Sequence, residues 1–204
     1  TLTVAPGRAT QSNRHVTFTV HSELSALAYA EWEKGIVRIN AHWLKDHPED
    51  TGLAIHEMAH IIQRYEINKS WITEGIADYC RYWLFLDQGE KIPTVYRDTV
   101  NYKNGYADAT HFLVWMQDTY DKDLIAKLNR HSRLNDFPKD VFVKYTGKNL
   151  EALWKEFNDS YMKDKPTLDE YKAQEKAKGK VSLLIPNKED SPCENCKNQK
   201  ITQI

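Results

Sequence analysis

The residues best suited to do chemistry stand in one short run, His56-Glu57-Met58-Ala59-His60. Residues four apart lie on one face of an α-helix, so the two imidazoles can converge on a single divalent cation, and that donor geometry suits zinc. Glu57 follows His56 directly, beside the histidine face. There its carboxylate can take a proton from a water on the ion without joining the ligands. Two ordinary helix histidines are the plain alternative, and an HExxH run arises by chance often enough to need support from elsewhere in the chain.

That support comes from Trp71-Ile72-Thr73-Glu74-Gly75-Ile76-Ala77-Asp78-Tyr79. A catalytic zinc takes three protein ligands and keeps one position open, and a Glu on a second helix, packed antiparallel to the first, supplies the third. Glu74 is that candidate; the plain alternative is a carboxylate favoured by the helix dipole near the N-terminus. Asp78 lies one turn later on the same face, where it can accept a hydrogen bond from the free ring nitrogen of a ligating histidine, His56 in the first instance. A plain solvent-facing acid is its alternative role. Hydrolysis also gains from a donor aimed at the oxyanion formed during attack on a carbonyl. In Gly105-Tyr106-Ala107-Asp108-Ala109-Thr110-His111-Phe112-Leu113, Tyr106 is the first candidate, His111 the second and Tyr102, just upstream, the third. A structural tyrosine is the competing reading.

The elements that must hold these side chains can be read from periodicity. Val16–Val20 and Gly35–Asn40 alternate apolar and polar residues of β-forming type, with Leu27–Trp32 a weaker strand between them, so a small sheet is expected in the first forty residues. Pro48, Glu49 and Asp50 then open a helix that runs to about Tyr65. Thr73 caps a second helix ending near Gly89, and Gly105 precedes a third. Shorter helices are expected over Asp121–Asn129, Phe137–Tyr145 and Leu150–Tyr161. The chain therefore reads as α+β, with a catalytic domain over residues 1–165. A charged, helical or extended C-terminal tail covers 166–204 and includes the apolar stretch Ser182–Ile185.

Composition narrows the function classes. The 204 residues carry 28 Lys+Arg against 29 Asp+Glu, a balance that gathers neither nucleic acid nor an anionic membrane surface. The longest apolar run, Tyr82–Leu86, is far short of a membrane span. The chain begins at Thr1 with neither an initiator Met nor a hydrophobic leader, as a processed N-terminus would. The 3 cysteines exclude a framework of several disulfides. Cys193 and Cys196 form a CxxC with no second pair to complete a structural zinc site. Asn68-Lys69-Ser70 and Asn158-Asp159-Ser160 match the short N-glycosylation pattern, which decides nothing alone. Trp71, Trp83, Trp115 and Trp154 sit at helical spacing and read as core.

With these segments in hand, the chain resembles the basic secretory protein family of plants and bacteria, placed among metallopeptidases. The likeness runs from about Val16 to Tyr161 through HEMAHIIQ, EGIADYCR, NGYADATHFLVWM and NDFPKDVFVKYTGKNLEALWKEF. The near-neutral charge departs from the family's name, and the tail after Pro166 lies outside the likeness. The resemblance implies a zincin-like core, with His56, His60 and Glu74 as zinc ligands and Glu57 as catalytic base. It also implies that Asp78 supports a histidine in a gluzincin-like ExxxD arrangement, and Tyr106 matches the family's Gly-Tyr step. It further implies a secreted or extracytoplasmic setting and a sheet edge, here Gly35–Asn40, that pairs with an extended peptide. The expected function is a zinc-dependent peptidase, an endopeptidase in preference to an aminopeptidase, acting on peptide or protein substrates through a metal-activated water. The rival is a catalytically silent zinc-containing defence or interaction protein. Nothing in the sequence fixes the oligomeric state or cleavage preference.

Overall fold

A computed structural model describes residues 15–65, 70–86 and 92–178. Three strands, β1 (Thr17–His21), β2 (Ala28–Glu31) and β3 (Ile36–Asn40), form a mixed sheet in the order β1-β3-β2. β1 runs parallel to β3 with Phe18 opposite Val37, and β2 runs antiparallel to it with Ala30 opposite Val37. The β2–β3 hairpin closes at Gly35, whose φ of 67° is left-handed and suits glycine. The α+β expectation holds. The sheet edge, however, is not where the sequence reading put it: Gly35–Asn40 contains β3, the central strand, and the outer strands are β1 and β2. Strand order depends on pairings between distant segments, which alternation within one segment does not encode.

The helices follow: α1 (Ala41–Asp46), α2 (Gly52–Gln63), α3 (Ser70–Asp78), α4 (Tyr106–Thr119), α5 (Leu124–Leu134), α6 (Val141–Thr146), α7 (Leu150–Ser160) and α8 (Leu168–Ala177). α3 continues into a π-helical stretch, Tyr79–Phe85, and a short 3₁₀ turn, Tyr102–Asn104, precedes α4. The second helix begins at Ser70, so Thr73 lies within α3 instead of capping it. α1 is unforeseen. Asn40 caps it, accepting from the amides of His42 and Trp43, and a helix of six residues is too short to show a clear period. The tail contains a real helix with a capping box between Thr167 and Glu170. It lies against the segment before α4, through Arg97–Glu170 at 2.8 Å and Tyr96 packed on Tyr171. Ser182–Ile185, Cys193 and Cys196 lie outside the described residues, as does Asn68.

Two apolar cores share α2. Leu53 and Ile61 face the sheet with Ala28, Val37 and Ile39, whereas Ala59 joins the larger helical core. The larger core centres on Phe112, fully buried, with ring centroids of Trp154 at 5.0 Å, Phe157 at 5.3 Å and Tyr102 at 5.5 Å. Trp71, Trp83, Trp115 and Trp154 all pack, partly buried, against this core, as their spacing predicts, and Trp83 also stacks on Tyr79. α3 and α4 cross closely at Gly75. A Cβ there would stand 2.8 Å from Leu113 Cδ1 and 2.9 Å from the Ala109 Cβ, so glycine is what permits the approach.

Candidate active site

α2 and α3 run antiparallel, and polar contacts mark their register. Near the end of α2, the Gln63 amide Nε2 donates to the Thr73 carbonyl of α3 at 2.9 Å. At the other end Arg81 pairs with Asp50 at 2.8 Å, and Asp50 also accepts from the Trp43 indole and the Leu53 amide. Between these two ties stand His56, His60, Glu74 and Asp78. The Nε2 atoms of His56 and His60 are 3.1 Å apart, and Glu74 Oε2 lies 3.3 Å from the first and 3.5 Å from the second. Of the described residues, these three form a group able to hold one metal ion, with ligand atoms all within 4.8 Å of one another.

The chemistry of that donor set argues for a cation. Asp78 Oδ1 is 2.7 Å from His56 Nδ1, so the carboxylate accepts a hydrogen bond from Nδ1–H and leaves the Nε2 lone pair facing inward. Gln63 Oε1 occupies the same position on His60, 2.7 Å from its Nδ1. Three acceptor atoms then point at one place with no donor among them, an arrangement that only a proton or a metal ion can satisfy. Two imidazoles and one carboxylate are a zinc donor set, and the sides are unequal. The His56 side chain is 6% exposed, against 19% for His60 and 20% for Glu74, so the approach from solvent lies on the His60–Glu74 side.

Charge on the imidazoles is favoured by the carboxylates around them. Burial opposes a charge on His56, but the adjacent Asp78 carboxylate overrides it and raises the imidazole to about 10, with Glu74 and Glu57 helping. His60 is also raised: burial opposes its charge, and the hydrogen bond to Glu74 together with the charges of Glu74 and Glu57 outweighs burial and the repulsion of His56. Glu74 moves the other way, to about 2, because its contacts with the two histidines outweigh burial. Glu57 is 6% exposed and stands outside the three-ligand group. Burial raises its carboxyl, and the nearby His56 and His60 counteract only part of that.

Compared with models of protein families, residues 5–157 match the family described as peptidase of plants and bacteria. The chain belongs to that family. It is the basic secretory protein family to which the four motifs point, and the matched span takes in every residue of the candidate site. No curated protein and no solved structure matches the chain. As in the resemblance drawn from sequence, the match stops before α8.

In this member of the family, the step into α4 presses on the His56–His60–Glu74 group. Gly105 has φ 78°, and a Cβ there would stand 3.2 Å from the Glu74 Cβ and 3.3 Å from its Cγ, so the chain passes directly over the Glu74 stem. Tyr106 has φ 46°, a left-handed conformation that costs a non-glycine residue about 1–2 kcal/mol. It places the Tyr106 ring stacked on His56, centroids 5.9 Å apart. Burial raises the Tyr106 phenol, and Glu74, Asp78 and Glu57 raise it further, so its hydroxyl keeps a proton to donate.

The other two tyrosine and histidine candidates are elsewhere. His111 has both ring nitrogens engaged, by the Tyr161 hydroxyl at 2.8 Å and the Pro93 carbonyl at 3.1 Å. The Tyr102 ring packs between Trp71 and Trp154 in the core, at 4.9 and 5.0 Å. Sequence reasoning missed Gln63 altogether. Its one available signal was position: a Gln one turn after His60, on the same helical face.

Proposed function

We propose that this chain is a zinc-dependent peptidase in which His56, His60 and Glu74 hold the metal and Glu57 is the general base. The observation that carries the reading is the convergence of His56 Nε2, His60 Nε2 and Glu74 Oε2, at 3.1 to 3.5 Å, with the opposite nitrogen of each histidine already engaged. A zinc ion there would supply Lewis acidity, lowering the pKa of a water toward neutrality and polarising the scissile carbonyl.

The chain's own groups account for the rest. Glu57, its carboxyl raised by burial toward the working range of a base, accepts the proton of the attacking water and passes it to the departing amine. Asp78 holds His56 in the Nδ1–H form. Tyr106, still protonated, donates to the oxyanion. The peptide lies along β2, not β3. β2 is an outer strand antiparallel to its neighbour, and α2 packs against it, so an extended substrate can add to its open side. We further propose that the enzyme acts outside the cytoplasm, as the family resemblance implies, and that it cleaves as an endopeptidase.

Glu57→Gln separates catalysis from metal storage. Zinc content should be unchanged, and cleavage of a peptide library should fall by about 10²- to 10⁴-fold, the usual contribution of a general base. Undiminished cleavage would remove Glu57 from the mechanism. A wild-type chain that binds zinc and cleaves nothing would favour the silent interaction protein.

A further inference from the structure

Gln63 is the last residue of α2 and only 4% exposed. Two hydrogen bonds of its side chain bear on the site. Nε2 donates to the Thr73 carbonyl at 2.9 Å, and Oε1 meets His60 Nδ1 at 2.7 Å. A carbonyl oxygen can only accept, so the Thr73 contact fixes which end of the amide is nitrogen. The other end is then oxygen, which also only accepts, so the proton between Gln63 and His60 belongs to His60 Nδ1. His60 Nε2 is left with a free lone pair, and it is this atom that faces His56 Nε2 and Glu74 Oε2.

We infer that Gln63 is a positioning residue: locked by the backbone of the Glu74 helix, it holds His60 in the Nδ1–H tautomer and aims Nε2 at the point where Glu74 arrives. The inference rests on the proposed metal site and goes beyond it. The carbonyl that orients the Gln63 amide belongs to the residue immediately before Glu74, so the end of the amide that faces His60 is set from the helix carrying the third ligand. Asp78 provides the corresponding tie for His56 from four residues after Glu74. The two histidines therefore have unlike supports, an anion for one and a neutral amide for the other.

Two substitutions separate the two bonds of Gln63. Gln63→Met keeps the side chain's length and removes both. Gln63→Glu keeps an acceptor for His60 and removes the donor to Thr73. Zinc affinity of the purified full chain is measured by competition with a chromophoric chelator, alongside the melting temperature of each metal-free protein. The expected result is a 10- to 100-fold loss for Gln63→Met, the usual effect of removing a ligand's hydrogen-bond partner. Gln63→Glu is expected to stay within the same order of magnitude as wild type even if its melting temperature falls. Wild-type affinity in Gln63→Met overturns the inference, as does a loss in Gln63→Glu as large as that in Gln63→Met, because an acceptor on His60 Nδ1 would then not be what holds the ring for the ion. A wild-type chain that takes up no zinc refutes the metal site itself, and the inference with it. Should Gln63→Met fail to fold, long-range ¹H–¹⁵N spectra of the zinc-loaded wild type decide: a protected His60 Nδ1–H supports the inference, and metal at Nδ1 overturns it.

Discussion

His56 in α2 and His131 in α5 each hold a carboxylate on Nδ1 at the same distance, 2.7 Å, Asp78 in one case and Asp136 in the other. Judged by that pair alone, the two regions look alike. They differ at the second nitrogen. His131 Nε2 accepts from the Tyr145 hydroxyl at 2.8 Å, so its ring is complete and serves to tie the end of α5 to α6. Among the described residues, His56 Nε2 meets the Nε2 of His60 and an oxygen of Glu74, all acceptors once Asp78 and Gln63 have fixed the tautomers. Burial divides the regions as well, with the Asp136 side chain 53% exposed and Asp78 at 6%. A histidine–carboxylate pair therefore does not mark a site; what the far nitrogen faces does.

Ligand removal should separate the regions most strongly. Glu74→Ala is expected to weaken zinc binding by more than the 10- to 100-fold that loss of an outer partner costs, whereas His131→Ala should bind zinc as wild type does. Chelator competition reads both, and equal affinities in the two variants would erase the distinction. The matched carboxylate substitutions come next. Asp78→Asn should cost about 10- to 100-fold in zinc affinity. Asp136→Asn should leave affinity unchanged and lower stability by about 1 kcal/mol or less, as expected for an exposed pair. Denaturant titration and zinc titration of both proteins check this.

The smallest effect is a pH dependence confined to the metal-free α2–α3 site. Glu74 is lowered from 4.5 to about 2, so its contribution to stability is present above pH 4.5 and is lost as pH falls toward 2. His56 is raised from 6.5 to about 10, so its contribution is present below pH 6.5 and is lost as pH rises toward 10. Both act together between those limits. The melting temperature of the metal-free wild type should exceed that of Glu74→Gln most near pH 5 to 6, and the gap should close on acidification below 4.5. A gap that is constant with pH would show that Glu74 is not charged against the histidines.

What could be read from sequence follows from the range of the interactions involved. His56, Glu57 and His60 were legible because helical periodicity is local, and so was the Glu74–Asp78 spacing on α3. The central position of β3 was not, because it depends on β1 and β2 both pairing with the same strand. Nor was the start of α3 at Ser70, since Thr73 resembles a cap in sequence yet offers its backbone carbonyl to Gln63 instead. Gln63 escaped for a related reason: an uncharged amide acquires its meaning only from the two groups at its ends, and one of them lies on another helix. Gly105 reads only as the residue before a helix and Gly75 carries no reading of its own, whereas in the fold Gly75 admits α4 and Gly105 makes room for the Glu74 stem.

X-ray absorption at the zinc edge of the loaded chain reads the ligand set itself. One ion per chain is expected, with two imidazole nitrogens at about 2.0–2.1 Å and a carboxylate oxygen in the shell, and the carboxylate contribution absent in Glu74→Ala. A chain that takes up no zinc, or a shell containing sulfur from Cys193 and Cys196, would contradict the assignment.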